Sequence, residues 1–214
     1  GNAANAAGDE FFGSFISQTY PPIFWFFVFF GITAVIVLLG VEKGIEKVSK
    51  VMMPVLVVLS IGIAAYVVTR PSALDGVIYY LKPNFDNFSI TTIFAAMGQL
   101  FYSMSLAMGI MVTYGSYMSK KDDLESSVHQ IEFFDTLIAF IAGIIIIPAV
   151  FAFSGGDQSV LNSGPSLMFI TLPKVFDSMG MGTVIGVTFF LLVLFAALTS
   201  AISLMETIVS FFEE

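Results

Sequence analysis

Residues 95–118 read AAMGQLFYSMSLAMGIMVTYGSYM, and this stretch decides how the chain folds. It is apolar enough and long enough to cross a bilayer, which takes about 20 residues of helix. Its middle concentrates polar and small residues, namely Gln99, Tyr102, Ser103, Ser105 and Gly109. A helix broken there must line protein or a water-filled cavity, because lipid offers no partners for freed backbone groups. The alternative is a continuous helix whose serine hydroxyls bond back to the preceding turn.

The composition places this stretch in a membrane protein. The 214 residues are 57% hydrophobic and 11% charged, whereas soluble domains carry about 25% charged residues. This excludes an ordinary soluble enzyme and a disordered chain. Apolar runs without alternation, such as residues 23–40, argue against barrel strands. We expect an all-α polytopic protein with five transmembrane helices, the third of them broken, over about 21–41, 51–69, 92–118, 131–153 and 183–212.

The basic residues suggest an orientation. Five of the eight lie in two connections, 42–50 and 119–129: Lys43, Lys47, Lys50, Lys120 and Lys121. Because cytoplasmic loops are rich in Lys and Arg, these two connections are predicted to be cytoplasmic. The N-terminal segment 1–20 and a re-entrant-like loop at 154–182 are then extracellular, and the C-terminus is inside. The net charge of −8 excludes a nucleic-acid partner, which would need a basic surface.

Two spans carry polar groups of possible function. Asp135 lies within the fourth span, where a carboxylate needs a counter-charge, a cation or a proton. Thr199 and Ser200 place adjacent hydroxyls on the fifth span, although small residues there also serve helix contacts. The sequence has no G-x-S-x-G, no H-E-x-x-H, no phosphate-binding loop and no cysteine, so no enzyme is predicted.

Four motifs in order resemble one family. They are GQLFYSMSLAMGIMVTYGSYM at 98–118, FFDTLIAFIAG at 133–143, PSLMFITLPKVF at 165–176 and LFAALTSAISLMETIVSFFEE at 194–214. Together they resemble the bacterial neurotransmitter:sodium symporters, which have the LeuT-type inverted-repeat fold with broken helices. The resemblance runs over essentially the whole chain. It implies that residues 1–214 form a single partial transporter domain covering helices four to eight of twelve.

The resemblance also implies roles for individual residues. A substrate site would be formed by Tyr102, Ser103, Ser105, Met108, Ser200 and Leu204. A first sodium ion would be bound by Ser103 and Asp135, and a second by the Ala196 carbonyl with the Thr199 and Ser200 hydroxyls. Tyr117 and Glu214 match a cytoplasmic gate. Gly44 to Pro54 matches a segment that unwinds when the second sodium leaves.

Charge balance near the first sodium bears on chloride. Some members of the family bind chloride there, and Gln99 lies in that neighbourhood. The Asp135 carboxylate supplies a fixed negative charge, and Ala139, one turn further on, offers no hydroxyl. We therefore expect sodium ions but no chloride as coupled ions.

The sequence thus predicts the central fragment of a sodium-coupled amino-acid symporter that works by alternating access. It would be a multi-pass protein of a bacterial inner membrane, inactive without the missing helices of the same transporter. Met108 and Ser103 suggest a large hydrophobic or aromatic amino acid as substrate. Two alternatives remain: a non-transporting membrane interaction fragment, and a proton-coupled relay that uses Asp135.

Overall fold

The computed structural model describes residues 8–71, 73–85, 88–154, 166–178 and 181–213, and every element of regular secondary structure within these ranges is a helix. Two π-helical turns, Val41–Ile45 and Leu167–Thr171, precede the third and eighth helices, and a 3₁₀ turn, Leu106–Met108, separates the fifth from the sixth. The helices are α1 (Asp9–Ile16), α2 (Tyr20–Leu38), α3 (Glu46–Val68), α4 (Ala73–Leu81), α5 (Ile90–Ser103), α6 (Ile110–Tyr117), α7 (Leu124–Ser154), α8 (Leu172–Asp177) and α9 (Gly182–Glu213).

Four helical segments are long and apolar enough to cross a membrane. They are Tyr20–Leu38, Lys43–Val68, Leu124–Ser154 and Gly182–Glu213. The third predicted span, 92–118, is present as α5 and α6, and neither piece has the length of a spanning helix. The break is thus confirmed, whereas the count of five spans stays a prediction.

The main core lies between α3, α7, α8 and α9. Its most deeply buried side chains include Val67 of α3, Val150 of α7 and Phe176 of α8. α8 belongs to the segment predicted as a re-entrant-like loop, and its Leu172 and Val175 are fully buried as well. Residues 155–165 of that segment lie outside the described residues. The side of the membrane on which it lies stays a prediction.

A second, smaller core joins the end of α2 and the π turn after it to the C-terminal half of α9. Ile36 and Val37 of α2 and Ile45 of the π turn pack with Ile202 of α9. The close approach depends on Gly44, because a Cβ there would collide with the carbonyl oxygen of Ile36. This core holds the beginning of α3 beside the C-terminal half of α9.

Two segments outside the predicted spans contain short helices. Residues 9–16 form the helix α1, which the polar and small composition of 1–20 did not suggest. The connection 70–91 contains α4, which lies on α7 through ring contacts of Tyr79 with Phe151 and of Tyr80 with Phe140, at 5.0 and 5.7 Å between centroids.

Candidate functional site

The broken helix has a defined local cause. α5 ends at Ser103, and the chain then passes Ser105 with φ 57° and Gly109 with φ 78° before α6 begins. Both residues are in the left-handed region, which interrupts the α-helical hydrogen bonds and frees backbone groups. Glycine takes this conformation readily, whereas serine at 105 is held there against its preference. The interruption predicted in the middle of residues 95–118 is therefore present, between Ser103 and Ile110.

Each half of the broken helix has its own attachment. The Ser103 hydroxyl donates to Asp135 Oδ1 at 2.6 Å, which ties the end of α5 to α7. On the other side, Tyr114 Oη donates to Ser203 Oγ at 2.8 Å, which ties α6 to α9. The Ser103 hydroxyl therefore does not bond back to the preceding turn, as the continuous-helix alternative required.

A cavity of about 490 Å³ lies between α3, the broken helix and α9. It brings together seven residues that the sequence assigned to the site: Tyr102, Ser103, Ser105, Met108, Thr199, Ser200 and Leu204. Its remaining lining comes from Val41, Ile45, Glu46, Ser49, Met53, Ile110, Tyr114 and Ser203. Hydroxyl oxygens on two walls and apolar side chains between them can hold a small cation beside an amphipathic ligand.

The hydroxyls of α9 are satisfied within their own helix. Thr199 Oγ1 donates to the carbonyls of Phe195 and Ala196 at 3.1 and 3.0 Å, and Ser200 Oγ donates to Ala196 at 3.0 Å. The Ala196 carbonyl thus accepts from both hydroxyls that the second predicted sodium site would use. A cation that took this oxygen and both hydroxyls would have to replace those bonds.

Some predicted residues lie away from the cavity. Asp135 does not line it and reaches it through Ser103. Gln99 is exposed on α5. Gly44 lies in the π turn and Pro54 inside α3, so the segment between them is helical in this structure.

The predicted gate residue Tyr117 is the last residue of α6 and does not line the cavity. Its predicted partner Glu214 is outside the described residues. Tyr117 Oη donates to Glu206 Oε1 at 2.6 Å, and the Glu206 side chain is buried, at 6% exposure. A crevice of about 650 Å³ opens beside this pair, lined by Thr113, Ser116, Thr207 and Glu213 among others. The tyrosine therefore pairs with a carboxylate of α9 one helical turn after Ser203.

Sequence reasoning missed Glu206 and Glu46 as site residues. A signal for Glu206 exists, because residues 199, 203 and 206 lie on one face of α9 at helical spacing. No comparable signal exists for Glu46, which the packing of α2 and the π turn brings to the cavity. Among the described residues, no group of three His, Cys, Asp or Glu side chains could hold a metal ion.

The fold and this site define a class: a helical membrane protein with a binding cavity at a broken helix. The family model for the sodium:neurotransmitter symporter family matches residues 21–213. The chain is 41% identical over 183 residues to the "uncharacterized sodium-dependent transporter YhdH" of Bacillus subtilis (strain 168), which covers 86% of the chain and 40% of that relative. A sodium-dependent transporter of Haemophilus influenzae, also named uncharacterized, is 35% identical over 198 residues, 92% of the chain and 42% of the relative.

A solved structure agrees with these relatives. The crystal structure of MhsT in complex with L-phenylalanine superposes with a TM-score of 0.83 at 39% sequence identity, over 98% of this chain and 48% of MhsT. The chain belongs to the sodium:neurotransmitter symporter family, whose members are transporters rather than an enzyme class. It spans less than half the length of these relatives.

Proposed function

We propose that the chain is the central part of a sodium-coupled amino-acid symporter, helices four to eight of a longer protein that we call the parent transporter. The observation that carries this proposal is the cavity at the broken helix. Seven residues expected to bind substrate or sodium, from two separate parts of the chain, line that one cavity. Family membership supports the same conclusion.

The first sodium site would use the pair Ser103 and Asp135. In the structure the serine proton points to the carboxylate. Sodium needs lone pairs from both oxygens, since it is a hard cation that prefers oxygen ligands. Binding would therefore turn the Ser103 proton away and place the ion between the two side chains. The charge of Asp135 would be balanced by the ion.

The second sodium site would use Ala196, Thr199 and Ser200 of α9. Both hydroxyl oxygens already lie 3.0 Å from the Ala196 carbonyl oxygen. The parent's missing helices would complete both sites and the substrate pocket. The sodium gradient would then drive transport. The membrane potential adds about 2.3 kcal/mol per 100 mV for each positive charge that moves inward.

The substrate would be a large hydrophobic or aromatic amino acid. Met108 and Leu204 give the cavity apolar walls, and Tyr102 lies at its rim with 65% of its surface exposed. The phenylalanine bound to the structural neighbour MhsT supports this class. Chloride would not be needed, because Asp135 provides the negative charge. Stimulation of transport by chloride at fixed sodium would contradict this expectation.

A binding experiment on the parent transporter tests the proposal. Radiolabelled phenylalanine and leucine should bind in a sodium-dependent manner, and Thr199→Val should weaken this by about ten-fold, the effect of about 1.4 kcal/mol. Thr188→Val is the matched control. Thr188 also bonds back to a carbonyl of α9, that of Val184, but it does not line the cavity. We expect less than about two-fold change for the control.

The alternatives give different results. A non-transporting interaction fragment would show no sodium-dependent amino-acid binding in the parent. A proton-coupled relay would lose all activity on Asp135→Asn, whereas a sodium site should tolerate that change because the family often has Asn there.

We further propose that the 214-residue chain does not transport alone, is oriented with Lys43–Lys50 in the cytoplasm, and resides in a bacterial inner membrane. Sodium-dependent uptake by vesicles that contain only this chain would refute the first point.

A further inference from the structure

A chain of hydrogen bonds runs from α6, the second half of the broken helix, to the proposed second sodium site on α9. Tyr114 Oη donates to Ser203 Oγ at 2.8 Å, and Ser203 Oγ donates to the carbonyl oxygen of Thr199 at 3.1 Å. All three residues line the cavity, and the bond between the two hydroxyls is partly buried. Both hydroxyl protons are thus directed along the chain toward Thr199.

Ser203 is the link between the two helices. It accepts one hydrogen bond and donates another, and hydrogen bonds in series polarise one another, so each strengthens its neighbour. Tyr114 therefore strengthens the bond from Ser203 to the Thr199 carbonyl. A serine hydroxyl that bonds to the carbonyl four residues earlier also influences the local bend of its helix. The two hydroxyls thus act on the backbone of the turn that carries Thr199 and Ser200.

We propose that Tyr114 and Ser203 are positioning residues for a sodium ion at Ala196, Thr199 and Ser200. This inference rests on the proposed function and adds two residues to it. Both act through the Thr199 backbone rather than as ligands of the ion. The ion needs carbonyl and hydroxyl oxygens of one helical turn at fixed spacing, and a turn already held in that geometry loses less freedom on binding. The site should therefore bind sodium more tightly while both bonds are intact.

The same bonds should carry the effect of sodium back to α6. A coupling between two events is reciprocal in free energy, so a bond between α6 and α9 that favours sodium is itself favoured by sodium. Sodium at Thr199 and Ser200 would then hold α6 against α9. Because α6 begins directly after the left-handed Gly109, this also fixes the C-terminal side of the break in the helix.

The test measures how binding of radiolabelled phenylalanine or leucine to the parent transporter varies with sodium concentration. We expect Tyr114→Phe and Ser203→Ala each to raise the half-saturating sodium concentration by about five-fold, which corresponds to about 1 kcal/mol. The affinity for the amino acid at saturating sodium should change by less than about two-fold, because the sodium site is then filled in every variant. Since Tyr114 acts through Ser203, the double variant should match Ser203→Ala.

Two further variants separate positioning from a general loss of stability in α9. Ser203→Thr keeps the hydroxyl and should retain the sodium requirement of the wild type. Ser210→Ala is the matched control, because Ser210 Oγ also donates back to a carbonyl of α9, that of Thr207 at 3.1 Å, but does not line the cavity. The control should change the half-saturating sodium concentration by less than about two-fold.

A second readout follows the reciprocal effect. Sodium should narrow the distribution of distances between spin labels on α6 and α9 in the wild-type parent, and it should do so less in Ser203→Ala. A lost hydrogen bond with a purely structural role would widen the distribution equally with and without sodium, which would contradict the proposal.

The binding outcomes also distinguish the two proposals. An unchanged sodium requirement in Tyr114→Phe and Ser203→Ala, with sodium-dependent binding intact, overturns the positioning role alone. An equal rise in Ser210→Ala overturns it too, since any lost bond on α9 would then have the same effect. A wild-type parent without sodium-dependent binding overturns both this inference and the proposed function.

Discussion

The two halves of the broken helix are held in different ways. α6 is bonded to α9 by two tyrosine hydroxyls, those of Tyr114 and Tyr117, and its first residue Ile110 is buried. Every residue of α5 is exposed, and Ser103 bonds this helix to α7. Both halves come from one apolar stretch of sequence, so their difference arises from packing.

This difference shows which wall of the cavity is more strongly attached to the rest of the chain. The wall made by α6 and α9 is held by two tyrosine hydrogen bonds and the buried Ile110, whereas α5 has the bond of Ser103 to Asp135 and no buried side chain. If the chain is the central part of a longer transporter, α5 presents its apolar surface to helices outside this chain. Changes at α6 should therefore lower the stability of the chain more than equivalent changes at α5.

The largest contrast should come from two glycines. Gly109 has φ 78°, and a Cβ there would lie 3.3 Å from Thr207 Cγ2 of α9, whereas nothing lies within 4 Å of a Cβ at Gly98 of α5. Gly109→Val should lower the free energy of unfolding by about 3 kcal/mol, through left-handed strain and overpacking. Gly98→Val should leave it unchanged or raise it slightly, because valine favours a helix more than glycine does. Denaturant titration of the 214-residue chain in detergent measures both values.

Equal losses for the two glycine variants would contradict the comparison. The same two variants should also be measured by denaturant titration of the parent transporter. A loss at Gly98→Val that appears only in the longer protein would show that additional helices cover this face of α5.

The next largest effect concerns the bond between Tyr117 and Glu206. Tyr117→Phe leaves the buried Glu206 carboxylate without its donor, which should lower the free energy of unfolding by about 2 kcal/mol. Tyr114→Phe should lower it by about 1 kcal/mol, because the partner Ser203 also bonds to the Thr199 carbonyl, at 3.1 Å, and is not charged. Denaturant titration of both variants checks the order. A larger loss for Tyr114→Phe would contradict the assigned importance of Glu206.

Much of the fold could be predicted from the sequence. Long apolar runs predict membrane helices because the bilayer requires backbone groups to be bonded within each helix. Serine and glycine within the stretch 95–118 predicted the interruption, and Ser105 and Gly109 have the positive φ values that cause it. The family resemblance added Met108 and Leu204 and assigned binding roles to the seven predicted residues that line the cavity.

The parts that escaped prediction depend on long-range contacts. Tyr117 and Glu206 are 89 residues apart in sequence, and no periodicity in either helix says which partner the tyrosine finds. Glu46 reaches the cavity because Gly44 allows the π turn to pack against the carbonyl of Ile36. Helix α1 escaped because its small and polar neighbours resemble a loop in composition.

The smallest effect on stability should come from Ser103, which bonds α5 to α7. Its bond to Asp135 is solvent-exposed, so Ser103→Ala should lower the free energy of unfolding of the chain by only about 0.5–1 kcal/mol. The same variant should widen the distribution of distances between spin labels on α5 and α7, because the remaining contacts of α5 are few. Ser103→Thr keeps the hydroxyl and should preserve both values. An unchanged distance distribution in Ser103→Ala would show that contacts other than this hydrogen bond hold α5, and the two halves of the broken helix would then differ less than their bonding suggests.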